Sequence, residues 1–286
     1  MRVLLVALGL IGGLLSPAFG ADYDLPILRG SEPVAPVVSV GPATFTRWSG
    51  FYVGGQFSYS DANTDFSNAT APLVSFSLRD TALEADQSPS QYQVLGRGTD
   101  NAFGYGGFVG YNTQWQDVIL GVEANYTHTS LNTSSSTTPI SRVVSAGGST
   151  YSVNLTGTGN LDLTDYASLR ARAGYVVGNL LPYGFAGFAI GRGDYNVTTH
   201  VYGQQNAATA VLPCDPAIPT CVGYDFSNSV GQSNALLYGL SVGGGLDWAL
   251  TQNVFLRGEF EFIQFAPLAN VTASIVSARV GAGLKF

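Results

Sequence analysis

Seven charged residues stand inside runs where apolar and polar residues alternate: Glu123, Arg170, Arg172, Arg257, Glu259, Glu261 and Arg279. Arg170 and Arg172 are two apart, and so are Arg257, Glu259 and Glu261. In an extended strand, residues two apart share a face. Charge on the enclosed face of a sheet must be paired, and the Arg fork suits a carboxylate. Such a set is either a polar plug or the lining of a path for water and ions.

Two further sets could do chemistry. Cys214 and Cys221 lie in one polar segment, with only His200 as a nearby metal-ligand type. In an oxidising compartment this spacing predicts a disulfide, and metal binding is the rival reading. His128 and Ser130 are also two apart, with Asp162 and Asp165 on the next run. A base, a hydroxyl and an acid are the parts of an acyl hydrolase, although the spacing is common by chance. Glycines such as Gly104, Gly106, Gly107, Gly243, Gly244 and Gly245 fall within the alternating runs. They read as room for bulky neighbours rather than as phosphate loops. No catalytic residue, cofactor or resident metal is assigned.

The elements that carry these residues follow from composition and period. The chain has 286 residues, and only 11% are charged, against about 25% in an ordinary soluble domain. Its net charge is −7 and no basic stripe is present, which argues against nucleic acid as a partner. Residues 1–20 read as a secretory signal: Arg2, an apolar stretch from Val3 to Leu15, then Ala18-Phe19-Gly20 before the cut. The apolar stretch is too short for an anchor helix across about 30 Å of hydrocarbon. Residues 21–47, with Pro26, Pro33, Pro36 and Pro42, read as a periplasmic linker.

From Trp48 the period is two, and residues 48–286 form one barrel domain. The fold class is all-β: an eight-stranded antiparallel up-and-down transmembrane β-barrel. The predicted strands are Trp48–Ser60, Asn101–Thr113, Val118–Thr129, Leu161–Val177, Pro182–Asn196, Asn234–Ala249, Asn253–Phe265 and Thr272–Phe286. Twelve tilted residues rise about 30 Å, enough to cross a bilayer. The connections alternate long and short. That places 61–100, 130–160 and 197–233 outside as loops and the short turns in the periplasm.

The apolar face of most strands has no polar break, and the polar face carries the charges. Aromatic residues cluster at two depths. Trp48, Trp115, Tyr175, Tyr183, Trp248 and Phe286 map to the periplasmic ends. Tyr59, Phe103, Tyr126, Tyr195, Tyr238 and Phe262 map to the outer ends. Two girdles distinguish a membrane barrel from a soluble sandwich or lipocalin-like barrel.

The opening Trp48-Ser49-Gly50-Phe51-Tyr52-Val53-Gly54-Gly55 and the ending Val280-Gly281-Ala282-Gly283-Leu284-Lys285-Phe286 resemble the small porin-family barrels of Gram-negative bacteria. These are also called outer-membrane immunogenic proteins and are related to the OmpA membrane domain. The resemblance covers residues 48–286. It implies an outer-membrane location and partners in lipopolysaccharide, periplasmic chaperones and the β-barrel assembly machinery, with Phe286 as the assembly signal. It further implies a monomer or weak oligomer that is not an enzyme. The expected role is to support envelope integrity and surface contact through the outer loops; a small diffusion pore is the alternative, and a lipid acyl hydrolase a remote one.

Overall fold

A computed structural model describes residues 47–286 apart from 138, 208–211 and 218. The expected signal peptide and all of the linker before Arg47 lie outside the described residues. No described helix is long and apolar enough to cross a membrane, so any crossing is made by strands.

The strands are β1 (Gly50–Asp65), β2 (Arg97–Trp115), β3 (Val118–Ser136), β4 (Ile140–Ala146), β5 (Ser149–Tyr175), β6 (Leu180–Ala207), β7 (Val222–Ala249), β8 (Val254–Phe265) and β9 (Thr272–Lys285). All neighbours are antiparallel, and eight close into a ring: β1, β2, β3, β5, β6, β7, β8, β9 and back to β1. β4 is the ninth strand. It pairs with β5 beyond the stretch where β3 pairs with the same edge, so it prolongs β3 after a break at 137–139. Closure leaves the ring itself no free edge. At the seam, the Phe286 amide donates to the Phe51 carbonyl at 2.8 Å. Gly50 (φ +126°) lets the chain pass there, because a Cβ would stand 2.3 Å from the Phe286 carbonyl oxygen.

Both Arg47 and Phe286 lie at the end with the short turns, here named the inner end. One turn, at the outer end between β8 and β9, is a two-residue hairpin at Ala269 and Asn270, both with positive φ. That geometry matches the twist of the strands it joins.

Outside the ring, apolar side chains face away from the protein; Phe188 and Phe260 are each 70% exposed. In lipid this belt costs nothing, whereas in water it would be a large uncovered patch.

The outer half departs from the expected loops. β5 has 27 residues and β6 and β7 have 28 each, against 12 in β8. Segments 130–160 and 197–233 are therefore mostly strand. Their alternation persists: Tyr151, Val153, Leu155 and Val201 are buried on the inward face of a tall wall. That apolar face has to be covered. The covering comes from segment 66–96, which folds as helices α1 (Ala71–Ser77) and α2 (Ala82–Gln87) and a single 3-10 turn. Thr81 caps α2 by accepting from the Glu84 amide at 3.2 Å. Val74, Leu78 and Leu83 pack against Val153, Leu155 and Val201.

Three girdle assignments change. Trp48, Tyr183 and Tyr195 are buried inside the ring instead of standing in lipid. On β5 the alternation of Leu169 and Ala167 outward would carry Leu163 outward as well, but it is buried, because the register shifts at Thr164 and reverses the faces of β5 beyond it.

Candidate functional site

All seven predicted lumen charges point into the barrel and are buried. They form one network with an eighth member, Asp247 on β7. Four arginines thus meet four carboxylates, and the layer is neutral.

Glu123 on β3 sits at its centre. It accepts from Arg170 on β5 (2.5 and 3.1 Å), from Arg172 on β5 (3.1 Å), from Arg257 on β8 (2.8 Å) and from the Tyr52 hydroxyl on β1 (2.6 Å). Arg170 also donates to both oxygens of Glu259 at 2.7 Å. Asp247 accepts from Arg257 at 2.8 and 3.1 Å and from Arg172 at 2.7 Å. Arg279 donates to Glu259 at 3.1 Å and to Glu261, which Ser241 also reaches at 2.5 Å. Tyr183 donates to Glu259 at 2.9 Å. These are charge-assisted, largely bidentate contacts, the strong kind in a dry interior. Gly187 makes room for this packing: a Cβ there would meet the Leu169 carbonyl at 2.2 Å and the Arg170 Cα at 2.6 Å.

Apolar layers close the network on both sides. Toward the inner end, Trp48, Phe108, Tyr183, Phe185 and Phe255 fill the ring. The arginines lie on these rings: Arg172 is 3.8 Å from the Tyr183 centroid, and Arg170 and Arg257 are each 4.0 Å from Phe185 and Phe108. Toward the outer end, Tyr166 donates to or accepts from Ser277 (3.0 Å) and Ser60 (3.2 Å). Above them Leu131, Leu161, Leu163, Phe265 and Ile275 pack under Phe66 and Leu95 of the covering segment.

The other candidate residues stand apart from this core. Cys214 and Cys221 are joined as a disulfide, and Gln204 holds the loop by bonding both the amide and the carbonyl of Cys214 (3.1 and 3.3 Å). His128 and Asp165 meet on the lipid-facing rim, Nδ1 to Oδ1 at 2.8 Å, and Tyr126 donates to the same oxygen at 2.6 Å. Asp162 is bonded instead by Asn160 at 2.8 Å. Ser130 is exposed on the same face, but its side chain makes no hydrogen bond among the described residues. The rim therefore holds a His–Asp dyad whose acid is occupied by the Tyr126 and Thr164 hydroxyls (2.6 and 3.0 Å), while the Ser130 hydroxyl stays out of it. Phe286 is exposed at the inner end. Among the described residues no three of His, Cys, Asp and Glu gather as a metal site.

Asp247, Tyr52, Tyr166 and Tyr183 were missed as members of the network. Asp247 had a signal in the sequence: four inward arginines against three inward glutamates leave one charge unmatched.

Comparison with known proteins bears on the whole chain. Residues 33–286 match the family described as outer membrane protein beta-barrel domain. No curated protein matches the sequence. Similar solved structures include Neisserial surface protein A, at 14% identity and a TM-score of 0.37, covering 83% of this chain and 98% of that one. Another is Ail, the attachment invasion locus protein of Yersinia pestis, at 14% identity and 0.34, covering 83% and 99%. A third is the N-terminal beta-barrel domain of Pseudomonas aeruginosa OprF, at 16% identity and 0.28, covering 82% and 99%. The ring of strands, the outward apolar belt and the family match over residues 33–286 agree: the chain belongs to the outer membrane β-barrel protein family.

Proposed function

We propose that this outer-membrane barrel is a closed, non-enzymatic scaffold that supports the envelope and presents a folded outer platform for surface contact. The observation that carries the reading is the filled lumen. A neutral layer of paired charge spans it, with apolar layers on both sides and the α1–α2 segment over the outer end. A continuous water path would have to break several buried ion pairs at once, each costly when one partner is removed. The outer platform, by contrast, is built from tall strands, helices and a disulfide, a rigid frame of the kind on which binding surfaces are carried. Phe286, exposed beside the β1–β9 seam, is the proposed contact for the assembly machinery, and lipopolysaccharide the proposed lipid neighbour.

Single-channel recording of the refolded protein in a planar bilayer tests the reading. Insertion without current is the expected result. Discrete steps that change on neutralising Arg257 or Glu259 would replace it with the diffusion-pore reading.

A further inference from the structure

The tall wall has two ends, and the fold treats them differently. At one end, β4 is covered. The Gln87 side chain donates to the Ser145 carbonyl at 3.0 Å, and the Gly147 amide donates to Asp86 at 2.9 Å. Arg142 lies 4.5 Å over the Tyr92 ring. At the other end, β7 pairs with β6 from Val222 inward, but with β8 only from Gly239 inward. Over Val222–Leu237 no strand among the described residues lies beside the second edge of β7. That stretch contains no Lys, Arg or Pro; of the features that usually guard an edge it has one charge, Asp225, and a bulge at Ser233–Asn234 toward the membrane side, so Val222–Gln232 is left straight and lightly guarded.

An apolar ledge runs along this edge. Phe226 aligns through Val201 and Leu155 with the buried face of the wall, and its ring stacks with Tyr224 at 6.2 Å. Phe226 stays 40% exposed and Val222 55%. Helix α1 stands alongside, tied by Asn228 to Ser77 at 2.6 Å, and its Phe76 is 56% exposed. On the opposite face Asp225 meets His200 Nε2 through one oxygen at 2.8 Å and still keeps 71% of its side chain exposed.

We propose that the β7 edge, Val222–Leu237, receives an extended segment of a partner protein by strand addition. The proposal rests on the surface-contact reading and names the surface. The main-chain groups of β7 supply hydrogen bonds without regard to sequence. Alternation supplies the selectivity. Every second side chain of the added strand falls on the Val222–Phe226 ledge and is apolar, and those between face Asp225 and are basic.

The test is amide hydrogen exchange on the whole refolded protein, read over residues 222–237. The probe is a synthetic peptide of about ten alternating Val and Lys residues, with a control carrying Pro at its centre. Without peptide, fast amides are expected to alternate with slow ones that face β6. The Val–Lys peptide is expected to slow the fast set by about tenfold or more, the Pro peptide to leave it unchanged, and Phe226→Asp to remove the protection while the ring stays folded. Three outcomes overturn the proposal: the edge amides are already slow without peptide, no protection appears at about 1 mM peptide, or both peptides protect equally. A conducting bilayer would remove the surface-contact reading but would not by itself alter this exchange pattern, so the two failures are distinguishable.

Discussion

Arg257 on β8 donates from Nη1 to Glu123 Oε2 on β3 at 2.8 Å, although the two strands stand opposite each other, four places apart in the ring of eight. The contact is a strut across the full width of the barrel. It fixes the lumen's cross-section from within, while the strand ladder fixes it from the wall.

Glu123→Gln keeps the shape and removes the charge that three arginines share. We expect a loss of about 3–5 kcal/mol, the usual cost of leaving buried charge unmatched. Reversible urea unfolding in lipid vesicles measures it. Arg97→Ala, which breaks an exposed pair with Asp65 (3.1 Å), is expected to cost less than about 1 kcal/mol in the same assay.

Leu83→Asp places a carboxylate among Val74, Leu78 and Val153. The α1–α2 segment is expected to detach, with a local cost of about 2–5 kcal/mol. Chymotrypsin should then cut at Phe76 or Tyr92. The ring should keep its heat-modifiable mobility on a gel. Resistance to the protease would contradict the packing described above.

The Cys214–Cys221 bond closes a short ring and stabilises its loop by about 2.5 kcal/mol on the chain-entropy model. Thiol reagents should find no free Cys in the unreduced protein. Reduction should speed exchange around Gln204 and leave the unfolding midpoint of the ring in place.

Burial pushes the Tyr224 phenol above its ordinary value, with nearby Tyr151 acting in the same direction. A folded-state value above the unfolded one means that stability is complete below about pH 10 and is lost as pH rises further. The bond from Tyr224 to the Ser152 carbonyl, 2.6 Å, goes with the proton. Protection of the amides over residues 149–160, taken relative to intrinsic exchange at the same pH, should therefore fall at high pH, and Tyr224→Phe should remove that fall while lacking the bond throughout.

The ring, its inward charges and the disulfide were legible because each leaves a local mark. Period two gives the faces, and Arg257, Glu259 and Glu261 declare their side by spacing alone. The outer half was not legible for the opposite reason. Segments such as Ser149–Asn160 are rich in Ser, Thr and Asn, which read as loop, although Thr favours strands and the inward residues between them stay apolar. Helix α1 has 7 residues and α2 has 6, too few to display a helical period. Trp48 and Tyr183 looked like interface residues because depth can be counted along a strand, whereas the decision between lipid and lumen turns on one residue of register.

The seam where Tyr52 meets Lys285 and Phe51 meets Phe286 joins the first of the described strands to the last. Strand pairing this distant in sequence is slow, since the chain's freedom is lost long before the contact rewards it. Until β9 arrives, β1 is a bare margin, and every incomplete chain is an open sheet able to join another. Completion is thus a single late event, and the time before it is the interval in which this protein most needs to be kept from its own copies.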